Sequence, residues 1–119
     1  MKIILKGKPI STQHAYGQSG KIRFMTPDAK LLKNDYIKQA RTQYKGEPLK
    51  TSLSMYIRIY FKDKRVRDWD NWHKLSMDAL SKIVYDDDTQ LRLVTVDLVS
   101  CLDKENPRIE IIIDELVNN

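Results

Sequence analysis

Hydrophobic and polar residues alternate most cleanly between Ser52 and Phe61. Leu53, Met55, Ile57, Ile59 and Phe61 take one side of an extended chain, and Ser52, Ser54, Tyr56, Arg58 and Tyr60 take the other. That period of two predicts a strand with one buried face, placed centrally. A shorter run at residues 2–6 predicts a first strand, ended by Gly7 and Pro9. A polar loop holding Ser11, Thr12, Gln13, His14 and Tyr16 follows to about Gly20, and residues 21–25 read as a short strand. Thr26-Pro27-Asp28 is a helix start: Thr caps, Pro fits the first turn and Asp complements the dipole. Leu32, Tyr36, Ala40 and Tyr44, with Ile37 beside them, recur at helical spacing, and Gly46 and Pro48 stop the helix. A second helix is expected from Asn71 to Ile83, with Trp72, Leu75, Ala79, Leu80 and Ile83 as its apolar stripe. Residues 91–102 read as a strand with a phase slip near Leu93-Val94, expected as a bulge. Lys104–Pro107 turns the chain, and residues 108–116 form a last strand with Ile109, Ile111 and Ile113 inward. The order β-α-β-α-β-β predicts an α/β (α+β) domain: two main helices on a mixed sheet, closed by an antiparallel hairpin.

Composition adds bounds. A chain of 119 residues makes one small domain with a real core. Lys and Arg number 21 against 16 Asp and Glu, a formal charge of +5. Such an excess suits a polyanionic partner and equally a solvated basic surface. Cys101 is the lone cysteine, so an internal disulfide is excluded, and its apolar surroundings predict a small core hydrophobe. The opening residues are too short for a signal peptide and no run matches a membrane span, so a cytoplasmic protein without membrane contact is expected.

The stretch Arg65-Val66-Arg67-Asp68-Trp69-Asp70-Asn71-Trp72-His73-Lys74 changes the picture most. Two carboxylates stand two residues apart inside a basic run that begins at Lys62. Each disfavours the ionised form of the other. In an extended segment, residues i and i+2 share a face, so both aim at one point, and a hard divalent cation would relieve the repulsion. Asp70 is also a candidate helix cap, with Lys74 one turn on. A second cluster, Asp86-Asp87-Asp88, follows the helix. Asp68, Asp70 and one or two of the later aspartates can hold Mg²⁺, or Mn²⁺ in its place, for phosphoryl displacement, with Lys74 neutralising developing charge. An acidic turn is by default a solvated turn, and a lone His73 is more often packing than ligand; neither reading accounts for Asp68.

These residues resemble a known family. Arg67-Asp68-Trp69-Asp70-Asn71 with Lys74, then Asp78-Ala79-Leu80, then Asp87-Asp88-Thr89-Gln90, are similar in combination to the signature of the RusA endodeoxyribonucleases, Holliday junction resolvases often carried by prophages. Gly7-Lys8-Pro9-Ile10-Ser11 is similar to the family's short N-terminal motif. The resemblance implies a homodimeric Mg²⁺-dependent nuclease that cuts two strands symmetrically across a four-way junction. It places the catalytic and metal-binding aspartates on Asp68, Asp70 and Asp88, with Asp87 beside the last ligand, and the essential lysine on Lys74. Which of Asp86, Asp87 and Asp88 ligates stays open. Lys64, Arg65, Arg67, Asn71 and Lys74 are the expected DNA contacts.

Two other classes compete: a nucleic-acid-binding protein with structural aspartates, and a metal-dependent hydrolase of small phosphoesters. Carboxylates weaken phosphate binding unless a cation intervenes, which disfavours the first; the basic run disfavours the second. A dimer matches the junction's symmetry, and Val94, Val96, Leu98, Ile109, Ile111, Ile112 and Ile113 are the apolar residues available for its interface.

Overall fold

The computed structural model describes residues 1–98 and 102–116. Along the chain lie β1 (Lys2–Lys6), α1 (Thr12–Ala15), β2 (Tyr16–Ser19), β3 (Ile22–Met25), α2 (Pro27–Gln43), β4 (Leu53–Tyr60), α3 (Lys74–Leu80), β5 (Leu91–Asp97) and β6 (Arg108–Glu115). Short 3₁₀ turns occupy Trp69–Asn71 and Asp88–Gln90. The expected α+β class, with helices on a mixed sheet, is what forms.

The alternation read from the sequence becomes the core. Leu53, Met55, Ile57 and Ile59 of β4 are buried beside Ile109, Ile111 and Ile113 of β6 and Ile3 and Leu5 of β1. Ala29, Tyr36 and Ala40 of α2 and Leu75, Ala79 and Leu80 of α3 pack onto them, so both helices cover one face of the sheet. Burial of these side chains contributes roughly 1.5–3 kcal/mol each for the larger ones.

The final hairpin does not form. The sheet order is β1-β6-β4-β5, with β4 parallel to β5 and antiparallel to β6. Parallel neighbours need a crossover, and the segment carrying α3 supplies it between β4 and β5. The last strand then inserts between β1 and β4, because its Ile-rich run satisfies an inner position better than the largely exposed β5 does. Consequently Ile109, Ile111 and Ile113 are buried within the chain and are not interface material; Ile112 (40% exposed), Val94 and Leu93 (60% exposed) remain on the surface. The bulge is present, one residue early: Leu53 pairs with Leu91 and Ser54 with Leu93, leaving Arg92 extra. The strand ends at Asp97, and Cys101 lies outside the described residues.

The outer edge of β1 is closed by α2. Gln39 and Gln43 each receive a strand N–H on Oε1 (Lys6 and Ile4, both 2.7 Å) and return Nε2 to the same residues' carbonyls at 2.8 and 2.7 Å. Two side-chain amides thus stand in for a fifth strand and blunt an edge open to pairing.

The expected loop 7–20 contains α1 and β2. Ser11 caps α1, its Oγ accepting the His14 N–H at 3.2 Å and meeting His14 Nδ1 at 2.6 Å. A helix of one turn leaves no period to read. The β2–β3 hairpin turns at Gly20, with φ +61, and places Gly17 under the Phe24 ring, where a Cβ would lie 2.5 Å from it. Thr26 occupies the expected cap position of α2, but its hydroxyl donates to the carbonyls of His14 (3.0 Å) and Ala15 (3.2 Å), tying α1 to α2 instead.

Candidate active site

The site is built on the two ends of α3. Upstream, the chain leaves β4 through Phe61 and turns back over it. The Arg67 guanidinium lies 3.9 Å from the Phe61 ring centroid and 5.4 Å from that of Trp72, whose ring meets Phe61 edge-on at 4.9 Å. The same guanidinium pairs with Asp63 Oδ1 at 2.7 Å and donates to the carbonyls of Asp63 (3.2 Å) and Arg65 (3.1 Å). Hydrogen bonds from Arg67 and then from the Arg65 amide hold the Asp63 carboxyl below its ordinary pKa. With its side chain 13% exposed, Arg67 is committed to shaping this loop, whereas Lys64 and Arg65 reach solvent.

Asp68 is extended, and a 3₁₀ turn begins immediately after it. The expected extended segment, with Asp68 and Asp70 on one strand face, is therefore replaced by a turn with about three residues per revolution. Both carboxylates are exposed, next to a Trp69 ring that is 63% exposed. Asn71 fixes the turn from below by accepting the Gln13 N–H on Oδ1 at 3.3 Å. The helix expected from Asn71 to Ile83 is limited to Lys74–Leu80, with His73 rather than Asp70 at its cap position. Its far end is broken at Lys82, where φ is +74. That conformation lets the Lys82 N–H reach the Tyr85 carbonyl at 2.6 Å and folds the Tyr85 ring into the core, its hydroxyl donating to the Met77 carbonyl at 2.6 Å.

Lys74 opens α3. Its Nζ lies 3.6 Å from Asp78 Oδ1, and Asp78 Oδ2 accepts the Tyr16 hydroxyl at 2.8 Å. Burial first, then the Asp78 hydrogen bond and charge, push the Tyr16 hydroxyl up to about 12. His73 stacks near-parallel to Trp69 at 6.4 Å. Burial lowers its pKa, against the Trp69 backbone and the Asp70 charge, which raise it.

Downstream, the three aspartates separate by role. Asp86 pairs with Lys50 at 2.7 Å. Asp87 caps the second 3₁₀ turn: its carboxylate accepts from Gln90 and from the Thr89 hydroxyl, the latter at 3.1 Å. The Thr89 hydrogen bond, followed by one shared with Asp88, holds the Asp87 carboxyl below its usual range. Gln90 anchors the turn, accepting from the Asp86 and Asp87 amides at 2.8 and 3.0 Å and donating to the Leu49 and Thr51 carbonyls at 2.8 and 2.9 Å. Asp88 is left exposed at the head of the turn.

Asp78 connects the two acidic turns. His73 feels the charges of Asp70, Asp78 and Lys74, and Tyr85 feels those of Asp78, Asp88 and Asp87. The first 3₁₀ turn also packs beside β5. The arrangement gathers Asp70, His73 and Lys74 at the start of α3, with Asp78 one turn further on, and sets Asp87 and Asp88 beyond its far end. It does not bring Asp68, Asp70 and Asp88 into a shared ligand set: among the described residues no three His, Cys, Asp or Glu groups stand as a metal-holding cluster. The donor chemistry fits a hard divalent cation, since the free groups are carboxylates open to solvent. From the sequence, Tyr16 has no role and Asp78 only a place in the Asp78-Ala79-Leu80 stretch of the resemblance; the four-residue spacing from Lys74 to Asp78 was the available signal.

Against family models, the chain matches Endodeoxyribonuclease RusA over residues 6–114. No curated protein matches it.

Proposed function

The chain belongs to the RusA endodeoxyribonuclease family, and from that premise we propose that it resolves four-way DNA junctions by paired, symmetric phosphodiester hydrolysis using Mg²⁺. Membership implies endodeoxyribonuclease chemistry at Holliday junctions; the metal, the pairing of cuts and the residue roles are our reading. The observation that carries it is the placement of α3 between two exposed acidic turns with Lys74 on its first turn.

Asp68, Asp70 and Asp88 would hold the cation, with Asp87 shaping the turn beside Asp88; Mn²⁺ would substitute. A bound divalent ion supplies an activated water and offsets charge on the scissile phosphate. Lys74, kept in place by Asp78, neutralises charge that develops on the phosphate. Lys64 and Arg65 meet the incoming backbone, Asn71 holds the turn against α1, and Arg67 contributes positive potential while bracing the loop. Two sites are needed for two cuts, and a C₂ homodimer supplies them; β5, the outer strand of the sheet, with Leu93 and Val94 exposed, offers interface surface. No helix of the described residues is long and apolar enough to cross a membrane, and we place the protein in the cytoplasm with its DNA.

The test is cleavage of a mobile four-way junction and of a matched duplex, with and without Mg²⁺. Symmetric nicks on the junction that require the metal are the expected result. Tight junction binding without cleavage in either Mg²⁺ or Mn²⁺ would overturn the reading and leave a non-catalytic DNA-binding protein.

A further inference from the structure

A concave feature borders the loop that carries Asp68. It is a cleft of about 580 Å³ between the 8–14 segment, the start of α2 and residues 61–67. That volume lies within the roughly 300–1,000 Å³ of small-ligand sites. Its walls divide by chemistry. Ile10 and Trp72 line it with apolar surface, while Lys8, Lys62 and Arg65 bring three exposed cations to it. Asp63, also on the wall, pairs with the held Arg67 at 2.7 Å and more loosely with the exposed Arg65 at 3.7 Å, so its charge is offset on both sides; Asp28 is the other carboxylate there.

His14 gives the cleft a planar element. Its ring is exposed, yet it is not free to turn, because Ser11, which is 3% exposed, holds Nδ1 at 2.6 Å. A fixed, solvent-facing aromatic ring beside apolar side chains and unpaired lysines is the chemistry that recognises a nucleotide taken out of its stack: base on ring, phosphate on cation. A continuous duplex backbone uses the cations alone and has no need of the apolar wall. The crossover of a branched DNA is where taking a base out of its stack costs least, because the continuous stack of each duplex is broken there.

We infer that this cleft takes an unpaired nucleotide of the branched DNA, its base against His14, Ile10 and Trp72 and its phosphate on Lys62 and Arg65. The inference rests on the junction-nuclease reading. Arg67, which lines the cleft, immediately precedes Asp68, so the captured nucleotide lies within a step or two of the phosphate to be cut. The cleft therefore sets the position of cleavage relative to the crossover.

The experiment uses four-way junctions carrying 2-aminopurine at successive positions through the crossover, bound by the full chain bearing Asp70→Asn. The fluorescence expected is a rise at one symmetric pair of positions and none elsewhere. His14→Ala, added to that chain, should abolish the rise and weaken junction binding about tenfold; His14→Phe, which keeps a stacking ring, should restore both. Ile10→Trp, which fills the cleft, should abolish the rise and, in the otherwise unsubstituted protein, spread the cuts over several positions. Silence at every position, or a rise that His14→Ala and Ile10→Trp leave unchanged, would overturn the inference. Wild-type cleavage of the same junctions in Mg²⁺ separates the two failures: cutting with a silent probe removes only the cleft, and no cutting removes the nuclease reading and the cleft with it.

Discussion

The Tyr16 hydroxyl donates to the Asp78 carboxylate at 2.8 Å, latching the N-terminal hairpin onto the helix that carries Lys74. The same carboxylate faces Lys74 Nζ at 3.6 Å. Asp78 is thus a positioning residue shared by a hairpin and a candidate catalytic lysine. Asp78→Ala should leave junction affinity near wild type and lower the single-turnover cleavage rate about 10- to 100-fold, since misplacement by an ångström is enough for that. Tyr16→Phe should cost about 1 kcal/mol of stability in chemical denaturation and a smaller part of the rate. An Asp78→Ala protein with the wild-type rate would remove the positioning role.

The exposed carboxylates make a sharper prediction. Asp68→Asn, Asp70→Asn and Asp88→Asn preserve shape and remove a charged ligand, so each should lower cleavage by orders of magnitude while junction binding persists or tightens. Asp86→Asn should differ, because Asp86 is paired with Lys50; near wild-type cleavage is expected from it. Gel-shift and cleavage measurements on the same junction decide between them.

Lys74→Ala should act on turnover rather than on affinity. With the ammonium gone, saturating DNA restores occupancy but not the charge that the transition state requires. The expected signature is a fall in rate at saturation with Kd changed little. A loss confined to Kd would reassign Lys74 as an ordinary phosphate contact.

The glutamine clamp on β1 predicts a stability and solubility effect remote from the site. Gln39→Leu or Gln43→Leu should each cost roughly 0.5–1.5 kcal/mol, and the double variant should aggregate at concentrations where the wild type does not, because the strand edge is then open. Denaturation midpoints and light scattering measure the two parts separately. Retention of junction cleavage at low temperature would confirm that the effect is structural.

Alkaline pH should weaken the fold. Tyr16 is pushed from 10.0 up to about 12, chiefly by burial and then by Asp78, and Tyr36 and Tyr85 are raised by burial. A pKa raised on folding means the native state holds the proton more tightly. The associated stability is complete below about pH 10, where the unfolded chain's tyrosines are also protonated, and is lost as pH climbs through the folded values. Denaturation midpoints should therefore drop between pH 10 and pH 12, and Tyr16→Phe should flatten part of that slope. A midpoint independent of pH across this range would contradict the linkage.

The sequence by itself determined the buried face of the sheet. A side-chain period of two over residues 53–61, with Ile109, Ile111 and Ile113 in the same phase, admits only one inward set. The amphipathic stripe of α2 was legible for the same reason: spacing along the chain maps directly onto a local surface. Strand order was not, because nothing local marks which strands pair; the crossover through α3 and the insertion of β6 between β1 and β4 are decided by where the whole apolar surface can be covered. Nor was the sorting of charges. Arg67 lies folded against Phe61 and Trp72, Asp86 is held by Lys50, and Asp78 joins Tyr16 to Lys74. Lys50, Tyr16 and Phe61 are distant in sequence or on other elements, and a charged group's role depends on the partners the fold brings to it.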